Sequence, residues 1–212
     1  MEYRCVATSE EGFVQQLAVA YITHGYWFYV AGEIPEGKEP AAVDAKLVER
    51  YGIAISKWAR CRRKKQGLAN MQYLRHKRFF LLLATKGRHE FFEHERSIIR
   101  DVRRVPIKFA GYSIGCRRSR DGRWHASVRI ERANFDGMKS MMSDSAARLG
   151  GRALAREFAD SAHLPFAPVR RQLHAIWRAA NRKRRTAGLS AIPVEVVPWK
   201  RRIVRPFGTE GS

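Results

Sequence analysis

A chain of 212 residues, 45% of them hydrophobic, is long and apolar enough to bury a core as one large domain or a domain with an appendage. Forty-one Lys and Arg against 20 Asp and Glu leave a formal net charge of +21, a self-repulsion that points to a polyanionic partner. Cys5, Cys61 and Cys116 form no CxxC pair, which argues against a disulfide framework or a cysteine zinc site, and no apolar run reaches the roughly 18 to 20 residues of a membrane span, so a cytoplasmic protein without a membrane partner is expected.

The first quarter does not share the excess charge. Residues 1–50 hold four basic residues and eight acidic ones, so this part reads as scaffold and the binding surface is expected further on. Thr8-Ser-Glu-Glu11 has the pattern of a capping box, which predicts a helix from there to His24, stopped by Gly25. Tyr26 to Ile34 is rich in β-formers and almost wholly apolar, the pattern of a strand buried on both faces. Pro40 opens a second helix, with Val43, Leu47, Val48 and Tyr51 on one face and Gly52 at its end.

Ser56 is placed to cap a third helix, SKWARCRRKKQG, closed by Gly67. Arg60, Arg62, Arg63, Lys64 and Lys65 give its C-terminal end more charge than a helix dipole requires, so this end is expected in water or against phosphate. Asn70 to Leu74 and Arg78 to Thr85 read as a hairpin whose second strand is central, joined by the basic connection 75–78. A second hairpin follows, with strands over Ile107 to Cys116 and Arg123 to Arg132 and Asp121-Gly122 at the turn. Its return strand alternates, with Trp124, Ala126, Val128 and Ile130 inward and His125, Ser127, Arg129 and Glu131 outward.

From Asn134 the pattern is helical, through FDGMKSMMSDSAARL and RALAREFADSA, joined at Gly150-Gly151. The longest helix is PVRRQLHAIWRAANRKRRTAG, from Pro168 to Gly188. At 100° per residue Val169, Leu173, Ile176, Trp177 and Ala180 fall in one sector, and Arg171, His174, Arg178, Arg182 and Arg185 fall in a stripe opposite. One face suits a core and the other suits phosphate, whose charge would relieve repulsion between arginines at i,i+4. A strand-like VEVV and a basic tail, Pro198 to Pro206, complete the chain.

Candidate chemistry is thin. His89, Glu90, Glu93, His94 and Glu95 gather acid and imidazole, but His89 and His94 are five apart, so the i,i+4 pair of HExxH is absent. Mg²⁺ would enter only for a nuclease, and no metal or other cofactor is expected otherwise. His125 stands in WHASVRI without a second histidine. The last tyrosine is Tyr112, upstream of it, so a nicking mechanism with a downstream tyrosine nucleophile fails. His89, Glu93 and His125 remain the candidate catalytic residues, since a metal-independent ribonuclease needs a histidine base and an arginine. Phosphate-loop and dinucleotide-binding signatures are missing.

The pattern as a whole predicts an α+β fold. It has one antiparallel sheet of about five strands with helices packed on one side, in a 1–132 domain, followed by a helical, strongly basic C-terminal region over 133–212. The expected function is nucleic-acid binding through phosphates, DNA ahead of RNA, in a mobile-element or plasmid setting. The binding residues would be Arg60, Arg62, Arg63, Lys64, Lys65, Arg117, Arg118, Arg171, Arg178, Arg182 and Arg185, with the loops 75–78 and 117–123. The alternatives are a nuclease or strand-transferase on DNA or RNA, and a structural RNA-binding protein of the ribosome-associated kind.

Overall fold

In the computed structural model, which describes residues 3–160, 163–197 and 204–208, the chain forms seven α-helices and two antiparallel sheets. The class is therefore α+β, but four strands lie in one sheet and three in the other in place of a single sheet of about five. The residues group into two compact units. The first comprises the described residues up to Ile107, Ile114–Ala126 and 204–208; the second comprises Lys108–Ser113 and the described residues between 127 and 197. The units thus interleave along the chain, where the composition suggests a seam near residue 133.

In the first unit, helix α1 (Glu10–Gln15) runs on as a π-helix, Gln16–Tyr21, and a 3₁₀ turn, Ile22–His24, to Gly25 at φ 92°. Ser9 is the N-cap, one residue later than expected, its hydroxyl accepting from the Gly12 amide at 3.0 Å. Gly12 occupies the third helical position, so the reciprocal carboxylate of a capping box has no counterpart. Strand β1 (Phe28–Glu33) follows, then α2 (Pro40–Arg50), α3 (Lys57–Lys65), the hairpin β2 (Met71–His76) and β3 (Phe79–Ala84), the single-turn α4 (Phe91–His94) and the short β4 (Arg100–Asp101).

The order β2-β3-β1-β4 puts β3 inside the sheet, as its RFFLLLAT run predicts, with Leu81–Ala84 all buried. Strand β1 is less enclosed than expected. It buries Tyr29 and Val30 and leaves Ala31 and Glu33 exposed, because the two-residue β4 pairs only with Phe28 and Tyr29. The free edge of β2 is covered by the N-terminal segment, through Ala7 N–H to Arg75 O at 2.7 Å and Arg75 N–H to Cys5 O at 2.8 Å. One core cluster gathers Val30, Tyr51, Ile53, Met71, Tyr73, Leu82, Ala84 and Phe91.

The buried Asp44 of α2 lies beside this core. It accepts from Arg75 Nε at 2.8 Å and Arg75 Nη2 at 2.8 Å, and from the Tyr73 hydroxyl at 2.6 Å. Burial and this hydrogen bond both raise the Tyr73 pKa, so its hydroxyl stays a donor.

The second sheet, in the order β5-β6-β7, contains β5 (Ile107–Phe109), β6 (Tyr112–Arg118) and β7 (Trp124–Ile130). The expected strand 107–116 is split because Ala110 and Gly111 take φ of 47° and 77°, a tight reversal with both central residues left-handed. In the second unit follow α5 (Arg132–Arg148), α6 (Gly151–Asp160), α7 (Ala167–Thr186) and a 3₁₀ turn at Val194–Val196, where a strand was expected. Most of the basic tail, 198–203, lies outside the described residues.

Helix α7 organises this unit with polar side chains as much as with apolar ones. Val169, Leu173, Ile176 and Ala180 are buried as their period predicts, and the helix packs along α5. Gln172 acts as an extra strand on β7, accepting from Ile130 N–H at 2.8 Å and donating to Ile130 O at 3.0 Å. Asn181 grips Ile192 in the same way, at 2.9 and 3.1 Å. Trp177 is half-buried, and its indole N–H reaches the Ile192 and Pro193 carbonyls at 3.1 and 3.2 Å.

Candidate nucleic-acid interface

The polar face of α7 is where its period puts it. Arg171, Arg178, Arg182 and Arg185 are all exposed, and Lys183 joins them. None of the ion pairs among the described residues uses any of these five. His174, in the same stripe, is partly buried, and desolvation with Arg178 and Arg170 nearby lowers its pKa, so it adds little charge at neutral pH. Arg184, one residue from Arg185, behaves oppositely. It is 2% exposed, and its guanidinium donates to Ala146 O at 3.1 Å, Leu149 O at 2.8 Å and Ser190 O at 2.5 Å. Ala146 and Leu149 belong to the C-terminal end of α5, where carbonyls lack helical partners and the dipole is negative. One cation of the run is thus a helix cap, and the others face water.

Helix α3 divides in the same manner. Ser56 caps it, accepting from Ala59 N–H at 3.2 Å, and Gly67 closes it at φ 72°. No residue of this helix is buried. Arg60 holds it to the scaffold, donating to Met71 O at 2.8 Å and Ile53 O at 2.7 Å, while Asn70 donates to the Arg60 carbonyl at 3.1 Å. Both terminal nitrogens of the Arg60 guanidinium thus donate to backbone carbonyls, where the density of charge predicts an end wholly in water or against phosphate. Arg62, Lys64 and Lys65 are exposed; Arg63 is half-buried beside a cleft. Trp58 is 76% exposed on this basic helix, although the chain's aromatic residues are mostly found in strand-like runs.

In the loop 75–78 three of the four side chains are engaged within the fold. Arg75 is bound to Asp44, His76 is buried with Nδ1 2.9 Å from the Ala7 carbonyl, and Arg78 donates to Ile34 O at 2.7 Å and Lys38 O at 3.0 Å. Lys77 alone of the four is exposed. In the 117–123 loop Arg117 and Arg118 are exposed, with Arg118 Nε donating to the Gly122 carbonyl at 3.0 Å across its own turn. A further arginine, Arg103, stacks 4.3 Å above the Trp27 ring, with Trp124 at 5.6 Å, while its Nη2 meets Asp101 at 2.6 Å.

The acid–imidazole cluster lines an open cleft of about 730 Å³ with Glu49, Arg50, Tyr51, Arg63, Arg88, His89, Glu90 and Glu93. Three arginines and three glutamates cancel, so the cleft is no trap for a polyanion. His89 is partly buried; desolvation, then the nearby Arg63, lowers its pKa, and a hydrogen bond to the Tyr51 backbone works the other way. Its Nδ1 accepts from the Phe91 amide at 3.1 Å, which places the proton of the neutral ring on Nε2. Such an imidazole has no free lone pair for general-base work. Burial, then the hydrogen bond to Glu95 at 2.5 Å, pushes the Tyr51 hydroxyl up to about 12. Glu93 is exposed. Among the described residues no group of three His, Cys, Asp or Glu is placed to hold a metal ion.

His89→Ala is expected to cost about 1 kcal/mol through the lost hydrogen bond, and Glu93→Ala no more than about 0.5 kcal/mol. Neither should change the products when labelled DNA or RNA is incubated with Mg²⁺ or Mn²⁺. A cleavage activity abolished by either change at an intact melting temperature would make the cluster catalytic.

His125 is exposed on β7, its Nε2 3.9 Å from Asp121 Oδ1. The outward row expected with it does not form, because Ser127 is 8% exposed and Arg129 is partly covered. Toward its C-terminal end β7 is enclosed on both faces, with Ser127, Val128 and Ile130 all buried.

Comparison with known protein families, with curated proteins and with solved structures gave no match to the chain. Among the described residues no helix is long and apolar enough to cross a membrane.

Proposed function

We propose that this chain binds nucleic acid, chiefly through its phosphates, with DNA as the favoured target. The observation that carries the reading is α7, whose apolar and hydrogen-bonding side chains are spent on the fold while Arg171, Arg178, Arg182 and Arg185 stand exposed without an ion-pair partner among the described residues. Arginines at i,i+4 and i,i+7 on one side repel one another, and a row of phosphates removes that repulsion. Arg62, Lys64 and Lys65 on α3 and Arg117 and Arg118 on β6 supply further exposed cations.

Neutralising about five to eight phosphates gives a slope of log K against log salt near −4 to −7. Changing Arg171, Arg178 and Arg182 together to glutamine removes three charges and no buried atom, so stability should move by at most about 1 kcal/mol. Affinity for DNA should fall and the slope should flatten by roughly three contacts' worth. Anisotropy titrations over a salt series, with DNA and RNA run in parallel, measure both. A wild-type slope near zero, or a triple variant with unchanged slope and affinity, overturns the proposal.

A further inference from the structure

Four tryptophans lie among the described residues, and three have ring or hydrogen-bond partners. Trp27 and Trp124 flank Arg103, and the Trp177 N–H is bound to the Ile192 and Pro193 carbonyls. Trp58 is 76% exposed on α3, and no ring or cation partner to it is found among the described residues. It is not needed for packing, because α3 buries no residue and is held by Arg60 and Asn70. At 100° per residue Arg62 and Lys65, four and seven residues on, fall within about 40° of Trp58 on the helix surface. Both are exposed, and neither has an ion-pair partner among the described residues.

A bare indole with two cations along one line of a helix matches a nucleic-acid strand, in which a base and its phosphates alternate. A base in a duplex offers no free face, whereas an unpaired base stacks on an aromatic ring regardless of its identity. We infer that Trp58 is a stacking platform for an unpaired base, with Arg62 and Lys65 on the adjoining phosphates, so that the first unit prefers single-stranded nucleic acid. The inference rests on the nucleic-acid reading above and adds the strand type. The net charge of +21 selects a polyanion over an apolar partner.

The test titrates wild type, Trp58→Ala and Trp58→Phe with oligothymidylate, with an abasic oligomer of equal length and charge, and with a duplex. Trp58→Ala should lose between about 5- and 100-fold on oligothymidylate, nothing on the abasic oligomer, and keep the salt slope. Trp58→Phe should recover part of the loss. Indole fluorescence should be quenched by oligothymidylate in wild type and much less in Trp58→Phe. An equal loss on all three probes, or none on oligothymidylate while wild type binds it, overturns the stacking role and leaves phosphate binding standing. If wild type binds none of the three, the nucleic-acid reading itself falls. Two further outcomes overturn the inference: Trp58-dependent binding to phosphatidylserine vesicles in place of oligothymidylate, or a self-association in sedimentation that Trp58→Ala abolishes.

Discussion

Arg184→Met is expected to destabilise the protein by about 3 to 5 kcal/mol, more than any other single change in the basic run. The guanidinium is buried and satisfies the carbonyls of Ala146, Leu149 and Ser190, so methionine fills the space but leaves the buried Ala146 carbonyl and the partly covered Leu149 carbonyl without donors. Two of those acceptors are at the C-terminal end of α5, where a positive charge also meets the helix dipole. Arg184→Lys keeps the charge but not the fork of donors, and should recover only part of the loss. Denaturant titration measures both. A methionine variant within about 1 kcal/mol of wild type would mean that water replaces the guanidinium at those carbonyls. The contrast with Arg171, Arg178 and Arg182 matters for any scan of this helix, since a loss of binding in an Arg184 variant would report unfolding.

Asp44→Ala should cost a similar amount, about 3 to 5 kcal/mol, because it strands a nearly buried guanidinium and a buried tyrosine hydroxyl. The desolvation of Arg75 is then uncompensated, and the Tyr73 hydroxyl loses its acceptor. The double change Asp44→Leu with Arg75→Met removes both charges and should be less destabilising than Asp44→Ala alone. Thermal melts of the three variants decide it. If the double change is worse than Asp44→Ala, the pair contributes more than it costs to desolvate, and the buried charges are net stabilising.

The two faces of α7 were legible because an apolar period of 3.6 and a row of arginines separate cleanly in one segment. Arg184 was not, since within ANRKRRTAG nothing distinguishes it from its neighbours and two of its three carbonyl partners come from residues 35 and 38 positions earlier. Asp44 was hidden for the same reason: α2 shows a good apolar face, and an acidic residue beside it reads as solvated until β2 brings Arg75 and Tyr73 to it. The split of the 107–116 strand into β5 and β6 turns on Ala110-Gly111, a pair that carries a weaker turn signal than the Asp121-Gly122 turn, though both of its residues are left-handed. In the candidate site, exposure of Arg62, Lys64 and Lys65 followed from their density, whereas the inward turn of Arg60 and the outward turn of Trp58 did not. Helix α3 lacks an apolar stripe, and without one a sequence cannot say which side faces the protein.

The last described segment returns to the first helix. Gln15 exchanges hydrogen bonds with the Val204 backbone, a pairing across 189 positions of chain, and Pro206 O accepts from Thr8 N–H at 3.1 Å. Closing so long a loop costs conformational entropy that grows with the logarithm of its length, about 0.6 kcal/mol per doubling. Contacts of such separation are slow to form. During synthesis α1 leaves the ribosome long before the residues that clasp it, with the whole second unit made in between. The first unit must therefore wait as an unfinished body for its final piece, and the clasp sets the moment at which its folding is complete.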